Sequence, residues 1–417
     1  FSAYYRFVKR QLEETIQSGE GEETYPDAVE HCAICRWWPV CNEKRREDDH
    51  LSFVAGISKP HIREVTRQGI QTLTAFANSE SPLPNDPERG SPETFERIHR
   101  QAKIQLKGYE TGTPQYEYCD LEEGRGFLLL PDPDPGDLFF DIESARHFPD
   151  GGLEYLFGYV TKEQQGNVEF TAMWAFDRAA EKAMFEQFVD QIISQRAEFP
   201  AMHVYHFAPY EPAALRRLSL RHNTKRDELR RLEDENVFVD LFSVVRQGLR
   251  CSVESYSIKN LEQFYGYERL EELDSAAHAR HRFERGLESE SLTCHSADDQ
   301  EIVRVYNHDD CLSTFKLRDW LEDRRTELVE KGTVLPRPAT ETLEDHEINE
   351  YQLLIHELKE RLLTGIDPIE PKNRDEEQAA RWLLANSLEY FSREYVAACW
   401  EYFRLHGVEP DELFDDR

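Results

Sequence analysis

The chain has 417 residues, of which 39% are hydrophobic and 32% are charged, values typical of a soluble globular protein with a sizeable core. No apolar run approaches the roughly 18–20 residues that a membrane-spanning helix needs, and no signal peptide is present, so we expect a cytoplasmic protein without a membrane partner. The net charge of −32 argues against a generally basic nucleic-acid coat protein, although local patches decide binding.

The front of the chain, residues 1–50, contains a helix and a cysteine motif. Residues 1–18 have helical spacing, and because the chain begins at Phe1 we expect them to be the tail of a domain whose body lies outside this chain. The segment "HCAICRWWPVC" follows with the spacing C-x2-C-x5-C, and its cysteines are Cys32, Cys35 and Cys41. Three thiolates this close suit zinc or an iron–sulfur cluster. They leave four-ligand coordination incomplete, so either His31 is the fourth ligand to zinc or a further cysteine lies upstream.

Short helices and a linker come next. Residues 51–77 predict two short amphipathic helices joined by loops that carry Gly56 and Gly69. A polar linker rich in Pro and Ser covers residues 78–92, and we expect residues 93–136 to be a connecting segment.

From residue 137 the pattern becomes α/β. Three apolar runs split by glycine-containing turns, "DLFFDIE", "LEYLFGYV" and "NVEFTAMWAF", predict a meander of strands. The order of the later elements is that of a ribonuclease H-like core. These elements are a helix (179–196), a strand (202–207), a helix (209–221) and further helices across 240–264 and 297–325. We therefore predict the α/β class, with a ribonuclease H-like mixed sheet and flanking helices over 137–330 and a helical extension over 340–417.

Several acids lie where a metal site would need them. Asp141 and Glu143 alternate in "LFFDIESAR", so in a strand both point to the same face. Two adjacent anions repel, and a divalent cation such as Mg²⁺ or Mn²⁺ is the simplest partner, whereas two solvent-facing acids are the alternative. Glu211 follows at a strand-to-helix junction, and Tyr306 and Asp310 stand at i, i+4 on one face of a later helix.

These motifs resemble those of the DEDD superfamily of 3′→5′ exonucleases, in the subclass whose last motif carries tyrosine. The resemblance implies catalytic roles for Asp141, Glu143, Glu211, Tyr306 and Asp310. Asp240, in "VFVDLF", matches an additional acid that is common between the second and third motifs.

The second motif departs from this pattern. It usually reads His-Asn, two residues, an aromatic residue and Asp, but here it runs from His206 to Glu211, with the Asn missing and Glu in place of Asp. Glu reaches one methylene further and could still hold a metal, whereas the lost Asn affects substrate positioning. The alternative to a nuclease is therefore an inactive RNase H-like module that only binds nucleic acid.

The charges of the site predict a two-metal mechanism. Two divalent ions, on the order of 3.5–4 Å apart, would bridge Asp141, Glu143, Asp310 and Glu211, and Tyr306 would orient the attacking water. A basic stretch after Glu211, "LRRLSLRHNTKRDELRR", is predicted to contact phosphates, with a merely solvated helix face as the alternative. Among its basic residues, those expected to make the contacts are Arg216, Arg217, Arg221, Lys225 and Arg226.

A second resemblance concerns the whole chain. The segment "YPDAVEHCAICRWWPVCNEKRREDDHLSFVAGIS" and residues 381–405 are similar to a family of predicted RecB-like nucleases. The family implies an iron–sulfur-type cysteine cluster that closes a PD-(D/E)xK domain, then a helix–hairpin–helix-like element at 51–80 and an RNase H-like exonuclease domain, often followed by a helicase. It implies that the first cysteine lies upstream, which favours a 4Fe–4S cluster over zinc. It also implies that only the tail of the PD-(D/E)xK domain is present. We expect nucleic acid as the partner, with DNA favoured over RNA but RNA left open, and a role in repair or processing.

Overall fold

The computed structural model divides the chain into two compact units, Phe1–Gln115 and Tyr116–Arg417. The residues that it describes are 2–18, 25–29, 31–32, 35–88, 90–162, 168–289, 296–338, 350–366, 374–388 and 390. Within these ranges, no helix combines the length and the apolar character that crossing a membrane requires.

The first unit is helical. Its helices are α1 (Ser2–Ser18), α2 (Trp38–Glu47), α3 (Lys59–Arg67), α4 (Leu73–Asn78) and α5 (Pro92–Thr111). The two short helices predicted within 51–77 are present as α3 and α4. Helix α5 lies in the segment expected only to connect domains. It begins where the Ser91 side chain accepts a hydrogen bond from Thr94 N, and it buries Phe95 and Ile98 in the core of this unit.

The second unit is built on strands of unequal length. They are β1 (Tyr116–Tyr118), β2 (Leu138–Ala145), β3 (Leu153–Lys162), β4 (Val168–Trp174), β5 (Val204–His206), β6 (Phe238–Asp240) and β7 (Leu249–Cys251). Its helices are α6 (Arg178–Glu198), α7 (Tyr210–His222), α8 (Arg226–Asp234), α9 (Leu241–Gly248), α10 (Ile258–Tyr265), α11 (Leu273–Glu288), α12 (Ala297–Glu330), α13 (Glu350–Leu363) and α14 (Glu376–Ser387).

Five strands form one mixed sheet in the order β4-β3-β2-β5-β6. The predicted meander is the antiparallel β2, β3 and β4, while β5 and β6 run parallel to β2. Strands β1 and β7 form a separate antiparallel pair. The predicted fold class, a mixed sheet with flanking helices, is confirmed.

Helices cover both faces of the sheet, and β2 shows how its residues divide between them. Phe140 stacks on Phe188 of α6 with ring centroids 4.1 Å apart. Phe139, on the opposite face, meets Phe315 of α12 at 5.0 Å. Alternation along a strand therefore directs Asp141 and Glu143 toward the α12 side.

Several elements of the second unit differ from the sequence prediction. Helix α8 and strand β6 were not predicted, nor was α11. The helical stretch predicted at 240–264 is interrupted by β7, which is a strand only because it pairs with β1, far away along the chain. The predicted C-terminal extension contains α13 and α14, whereas residues 391–417, and with them most of segment 381–405, lie outside the described residues.

Candidate metal centre

Three carboxylates come together at the centre of the sheet. Asp141 and Glu143 extend from β2, and Asp310 extends from α12. Their ligand atoms all lie within 4.8 Å of one another, with Glu143 and Asp310 buried and Asp141 half-buried. Among the described residues, this acidic triad is the one group of at least three His, Cys, Asp or Glu side chains that approach so closely. A β-bulge between Glu143 and Ser144 shifts the register of β2 beside the site.

Asn307 joins α12 to the strand that carries Asp141. Its Nδ2 donates a hydrogen bond to Asp141 Oδ2 at 2.7 Å and another to the Asp141 backbone oxygen at 3.3 Å. Gly158, the partner of Asp141 on β3, makes room for this side chain, because a Cβ there would lie 1.6 Å from Asn307 Oδ1. Cys311 Sγ donates to the Gly158 oxygen at 3.2 Å. These hydrogen bonds therefore fix α12, which carries Asp310, against β2, which carries Asp141 and Glu143, and against the neighbouring β3.

The electrostatics of the triad favour a bound cation. Burial raises the pKa of Asp141 well above its usual range, and the negative charges of Asp310 and Glu143 add to this effect. Burial also raises the pKa of Glu143 to about 8, although Arg280 opposes the shift. Three carboxylates supply only oxygen ligands, which are those that Mg²⁺ and Mn²⁺ prefer. The donor set therefore fits a divalent ion.

Tyr306 lies one helical turn before Asp310 and is surrounded by positive charge. Lys259 Nζ donates a hydrogen bond to Tyr306 Oη. The charged groups of Lys259, Arg269 and Arg280 lie 4.8, 5.7 and 5.5 Å from the centre of the tyrosine ring. Burial, followed by the charge of Asp310, nevertheless raises the pKa of Tyr306 to about 12. At neutral pH the tyrosine is therefore a hydrogen-bonding group rather than a base.

A family match identifies the part of the chain that carries the triad. Residues 138–322 match the RNase_H_2 family model, described as RNase_H superfamily. Residues 138–322 form an RNase H superfamily domain. The match includes the five-stranded sheet and all three acids of the triad. No curated protein and no solved structure matches the chain, and nothing in these comparisons supports the RecB-like resemblance.

Glu211 lies near the triad of the RNase H superfamily domain without joining it. It is buried in the first turn of α7, and its negative charge contributes to the raised pKa of Asp141. Its Oε2 has no hydrogen-bond partner in the described structure and lies 3.6 Å from His206 Nδ1. Burial raises the pKa of Glu211, and the neighbouring His206 opposes this shift.

Asp240 caps a helix instead of facing the triad. Its Oδ1 accepts from Phe242 N at 2.9 Å and its Oδ2 from Ser243 Oγ at 2.7 Å, at the start of α9. Oδ1 also accepts from Ala208 N at 2.8 Å. Ala208 has a φ of 74°, a left-handed conformation that costs energy for alanine, in the turn where the second motif departs from its usual sequence. Asp240 thus holds the strained turn that precedes Glu211.

The basic stretch predicted to contact phosphates is tied into the RNase H superfamily domain. Four of its basic residues each form an ion pair with a carboxylate of the same domain, so their charge is compensated within the fold. The pairs are Arg216–Glu233 at 2.6 Å, Arg217–Glu154 at 2.5 Å, Arg221–Glu181 at 3.0 Å and Lys225–Asp190 at 2.5 Å. Contact of this stretch with nucleic acid stays a prediction.

The cysteine motif lies outside the family match. Cys32 and Cys35 precede α2, and Cys41 lies within it. Cys35 N donates to the Cys32 oxygen at 3.2 Å, a turn that keeps these two residues adjacent. Within the described residues, the three cysteines do not form a ligand group as compact as the acidic triad, with or without His31. The iron–sulfur cluster and the zinc alternative both stay predictions.

Sequence reasoning missed five residues that shape the site: Asn307, Gly158, Lys259, Arg269 and Arg280. Asn307 could have been predicted as a site residue, since it is next to Tyr306 and three residues before Asp310 on the same helix. The three cations come from α10, from the loop after it and from α11, where no spacing relates them to the acids. Only the fold brings them to the triad.

Proposed function

We propose that the RNase H superfamily domain is a metal-dependent nuclease that trims nucleic acid from 3′ ends. The observation that carries this proposal is the acidic triad of Asp141, Glu143 and Asp310, whose ligand atoms lie within 4.8 Å of one another. Even with Arg269, Lys259 and Arg280 nearby, burial keeps the pKa values of Asp141 and Glu143 raised, so the arrangement is expected to serve a ligand.

The triad would hold Mg²⁺ or Mn²⁺, with Glu211 as a fourth carboxylate beside it. The buried Oε2 of Glu211 supports this role, because it accepts no hydrogen bond in the described structure and its contact with His206 Nδ1 is as long as 3.6 Å, which leaves the oxygen able to bind a cation. Two divalent ions, when bound, supply an activated water and stabilise the leaving oxygen of a phosphodiester. Asn307 keeps Asp141 in place through its hydrogen bond to Oδ2.

Tyr306 supports the exonuclease subclass with tyrosine in its last motif. An ammonium group has only donors, so Tyr306 Oη accepts from Lys259 and keeps its own hydroxyl hydrogen for another acceptor. That acceptor would be the attacking water or a phosphate oxygen. A tyrosine with a pKa of about 12 orients such a group without removing a proton from it.

An inactive nucleic-acid-binding module is the second candidate. It is favoured by the position of Glu211, which replaces the usual Asp and lies outside the triad. In this case the RNase H superfamily domain would present nucleic acid to a neighbouring nuclease or helicase. The cysteine motif supports a wider proposal, in which a 4Fe–4S cluster completed by an upstream cysteine belongs to a RecB-like nuclease domain acting on DNA in the cytoplasm.

Digestion of end-labelled oligonucleotides tests the nuclease proposal. Single- and double-stranded substrates labelled at the 5′ end should give a ladder that shortens from the 3′ end with Mg²⁺ or Mn²⁺. Asp141→Ala should abolish this cleavage and leave the fold intact. Without metal it should be neutral or mildly stabilising, because it removes one of three repelling charges. Full activity of Asp141→Ala with Mn²⁺ would overturn the assigned site, and binding without cleavage by the wild type would favour the second candidate.

A further inference from the structure

Two partly exposed cations lie beside the acidic triad. Lys259 Nζ is 3.6 Å from Asp310 Oδ2, and Arg280 Nη1 is 3.6 Å from Glu143 Oε2. These separations exceed the roughly 2.7–2.9 Å of a charge-assisted hydrogen bond. The side chains are 29% and 40% exposed, so solvent reaches both. Each cation thus balances a carboxylate of the triad without being fully engaged by it.

Arg269 shows the contrast within the same site. Its side chain is 7% exposed, and it donates two hydrogen bonds to Glu262 at 2.6 and 3.0 Å and one to Asp310 at 2.6 Å. Ser313 Oγ donates to the same Glu262 at 2.8 Å. Arg269 is therefore part of the internal framework, whereas Lys259 and Arg280 are partly exposed to solvent beside the triad.

We propose that Lys259 and Arg280 form a phosphate clamp that binds the backbone of a nucleic-acid strand once a divalent ion occupies the triad. A divalent ion competes with both cations for the same carboxylates. When Asp310 and Glu143 bind the metal, Lys259 loses the balancing charge of Asp310 and Arg280 loses that of Glu143, keeping only Glu284 at 3.4 Å. Both side chains stay partly exposed to solvent. The phosphates of an incoming strand replace these anions. The clamp rests on the proposed nuclease function and assigns the residues that position its substrate.

The position of Tyr306 supports a joint action of the two residues. Lys259 and Arg280 come from different helices, α10 and α11, yet both lie over the ring of Tyr306, at 4.8 and 5.5 Å. Both cations of the clamp therefore lie next to the tyrosine that is proposed to orient the attacking water. A phosphate held by both cations would lie next to the Tyr306 hydroxyl and the triad.

Salt-dependent binding tests the clamp directly. The affinity of a fluorescent single-stranded oligonucleotide should be measured between about 50 and 200 mM salt, in Ca²⁺ and in EDTA, with intact substrate verified on a gel. In Ca²⁺, Lys259→Met and Arg280→Met should each weaken binding about 5- to 20-fold and lower the slope of log K against log[salt] by about 0.7. In EDTA the two substitutions should change little, because both cations then face carboxylates.

Arg304→Met is the matched control. Arg304 is 38% exposed and lies on α12 near Tyr306, but it pairs with Glu301 at 2.7 Å instead of with the triad. Its substitution removes the same charge and should leave affinity and slope unchanged in both buffers. Lys259→Arg keeps the charge and should retain the wild-type slope. If Lys259→Met does not fold, the more exposed Arg280 and the Lys259→Arg variant still decide the test.

Binding of Mn²⁺ without nucleic acid separates a clamp from mere support of the metal site. Removing a cation that competes for the triad should leave Mn²⁺ affinity equal to or tighter than that of the wild type. Loss of Mn²⁺ binding in Lys259→Met and Arg280→Met would overturn the clamp, as would an unchanged salt slope in Ca²⁺.

The outcomes distinguish the clamp from the nuclease proposal. If the wild type cleaves but Lys259→Met and Arg280→Met keep the wild-type slope of log K against log[salt], the clamp is refuted and the nuclease proposal stands. Reduced slopes in a protein that binds but never cleaves support the clamp and refute the nuclease. A protein that neither binds nor cleaves refutes both.

Discussion

At the scale of single residues, the missing side chain of Gly158 makes room for Asn307, and Asn307 holds Asp141 of the triad in place. Asn307 bonds to both the backbone and the side chain of Asp141, and it fits only because residue 158 has no Cβ. The glycine at this position of a buried strand is therefore a packing requirement of the site. It is not needed for a turn, since Gly158 pairs regularly with Asp141.

Gly158→Ala tests this packing. The added methyl group must displace Asn307, so we expect a loss of about 1–3 kcal/mol in the free energy of unfolding and weaker Mn²⁺ binding. Asn307→Ala in the same chain should recover part of the stability, because it removes the overlap. Denaturant unfolding of the two single variants and the double variant gives the coupling between the sites. Additive losses would contradict the packing account.

A second prediction concerns Glu211 and the number of metal ions. If Glu211 Oε2 faces a second ion, Glu211→Gln should weaken metal binding, so that cleavage requires more Mn²⁺ and is slower, whereas Glu211→Asp should keep or raise activity. If Glu211 only interacts with the positive N-terminal end of α7, it contributes about 0.3–1 kcal/mol to the free energy of unfolding. Its substitution would then change stability and leave cleavage unchanged. The measurement is an Mn²⁺ titration of the cleavage rate.

Glu233→Gln is the control, because Glu233 is an acid whose side chain is only 13% exposed but which pairs with Arg216 instead of joining the triad. It should leave the Mn²⁺ titration unchanged. Indistinguishable titrations for the wild type, Glu211→Gln and Glu211→Asp would remove Glu211 from the site and strengthen the binding-module alternative.

At the scale of elements, α12 organises the site with two neighbouring acids. Asp310 joins the triad, while Asp309 accepts hydrogen bonds from the loop after α10. These come from Tyr267 Oη at 2.7 Å and from the backbone nitrogens of Leu270 at 3.0 Å and Glu271 at 3.3 Å. The same loop carries Arg269. The helix therefore fixes the loop that holds one cation against the triad.

Asp309→Ala should release this loop. We expect a loss of about 1–3 kcal/mol in the free energy of unfolding, because three donors of the loop lose the hydrogen bonds that they make to the buried Asp309. Amide hydrogen exchange at Leu270 and Glu271 should become faster. Asp298→Ala, an exposed acid in the first turn of the same helix, is the control and should not change exchange in the loop. Unchanged protection in Asp309→Ala would show that other contacts hold it.

How far the sequence predicts these elements depends on how local their signals are. The strands β2, β3 and β4 are long apolar runs with turns between them, so they could be predicted. The three-residue strands β6 and β7 have too few residues for a pattern and exist through pairing with distant strands. Asp141 and Glu143 were found because their spacing matches a strand. Lys259 and Arg280 could not be identified as site residues from the sequence, because only tertiary packing brings them close to the acids.

At the scale of the whole molecule, a buried histidine links stability to pH. His203 is buried, and its Nδ1 has no hydrogen-bond partner in the described structure. Burial, assisted by the charge of Arg196, lowers the pKa of His203 to about 4. In the unfolded chain the pKa is near its usual 6.5. Since the folded-state pKa is the lower one, stability is lost as the pH falls from about 6.5 toward 4.

His203→Phe should remove this loss. For the wild type, His203 should contribute a decrease of about 2 kcal/mol in the free energy of unfolding between about pH 7.5 and about pH 5. The difference between wild type and variant isolates this contribution from the carboxylates that titrate in the same range. Parallel pH profiles for the two proteins would contradict the assigned pKa.

The central claim is that the triad binds a catalytic divalent ion, and anomalous scattering from crystals grown with Mn²⁺ tests it most directly. At the manganese absorption edge, the account predicts a peak in contact with carboxylate oxygens of Asp141, Glu143 and Asp310, and no such peak in Asp310→Asn. Fully ordered side chains with no peak among them at saturating Mn²⁺, or a peak bound only elsewhere, would contradict it.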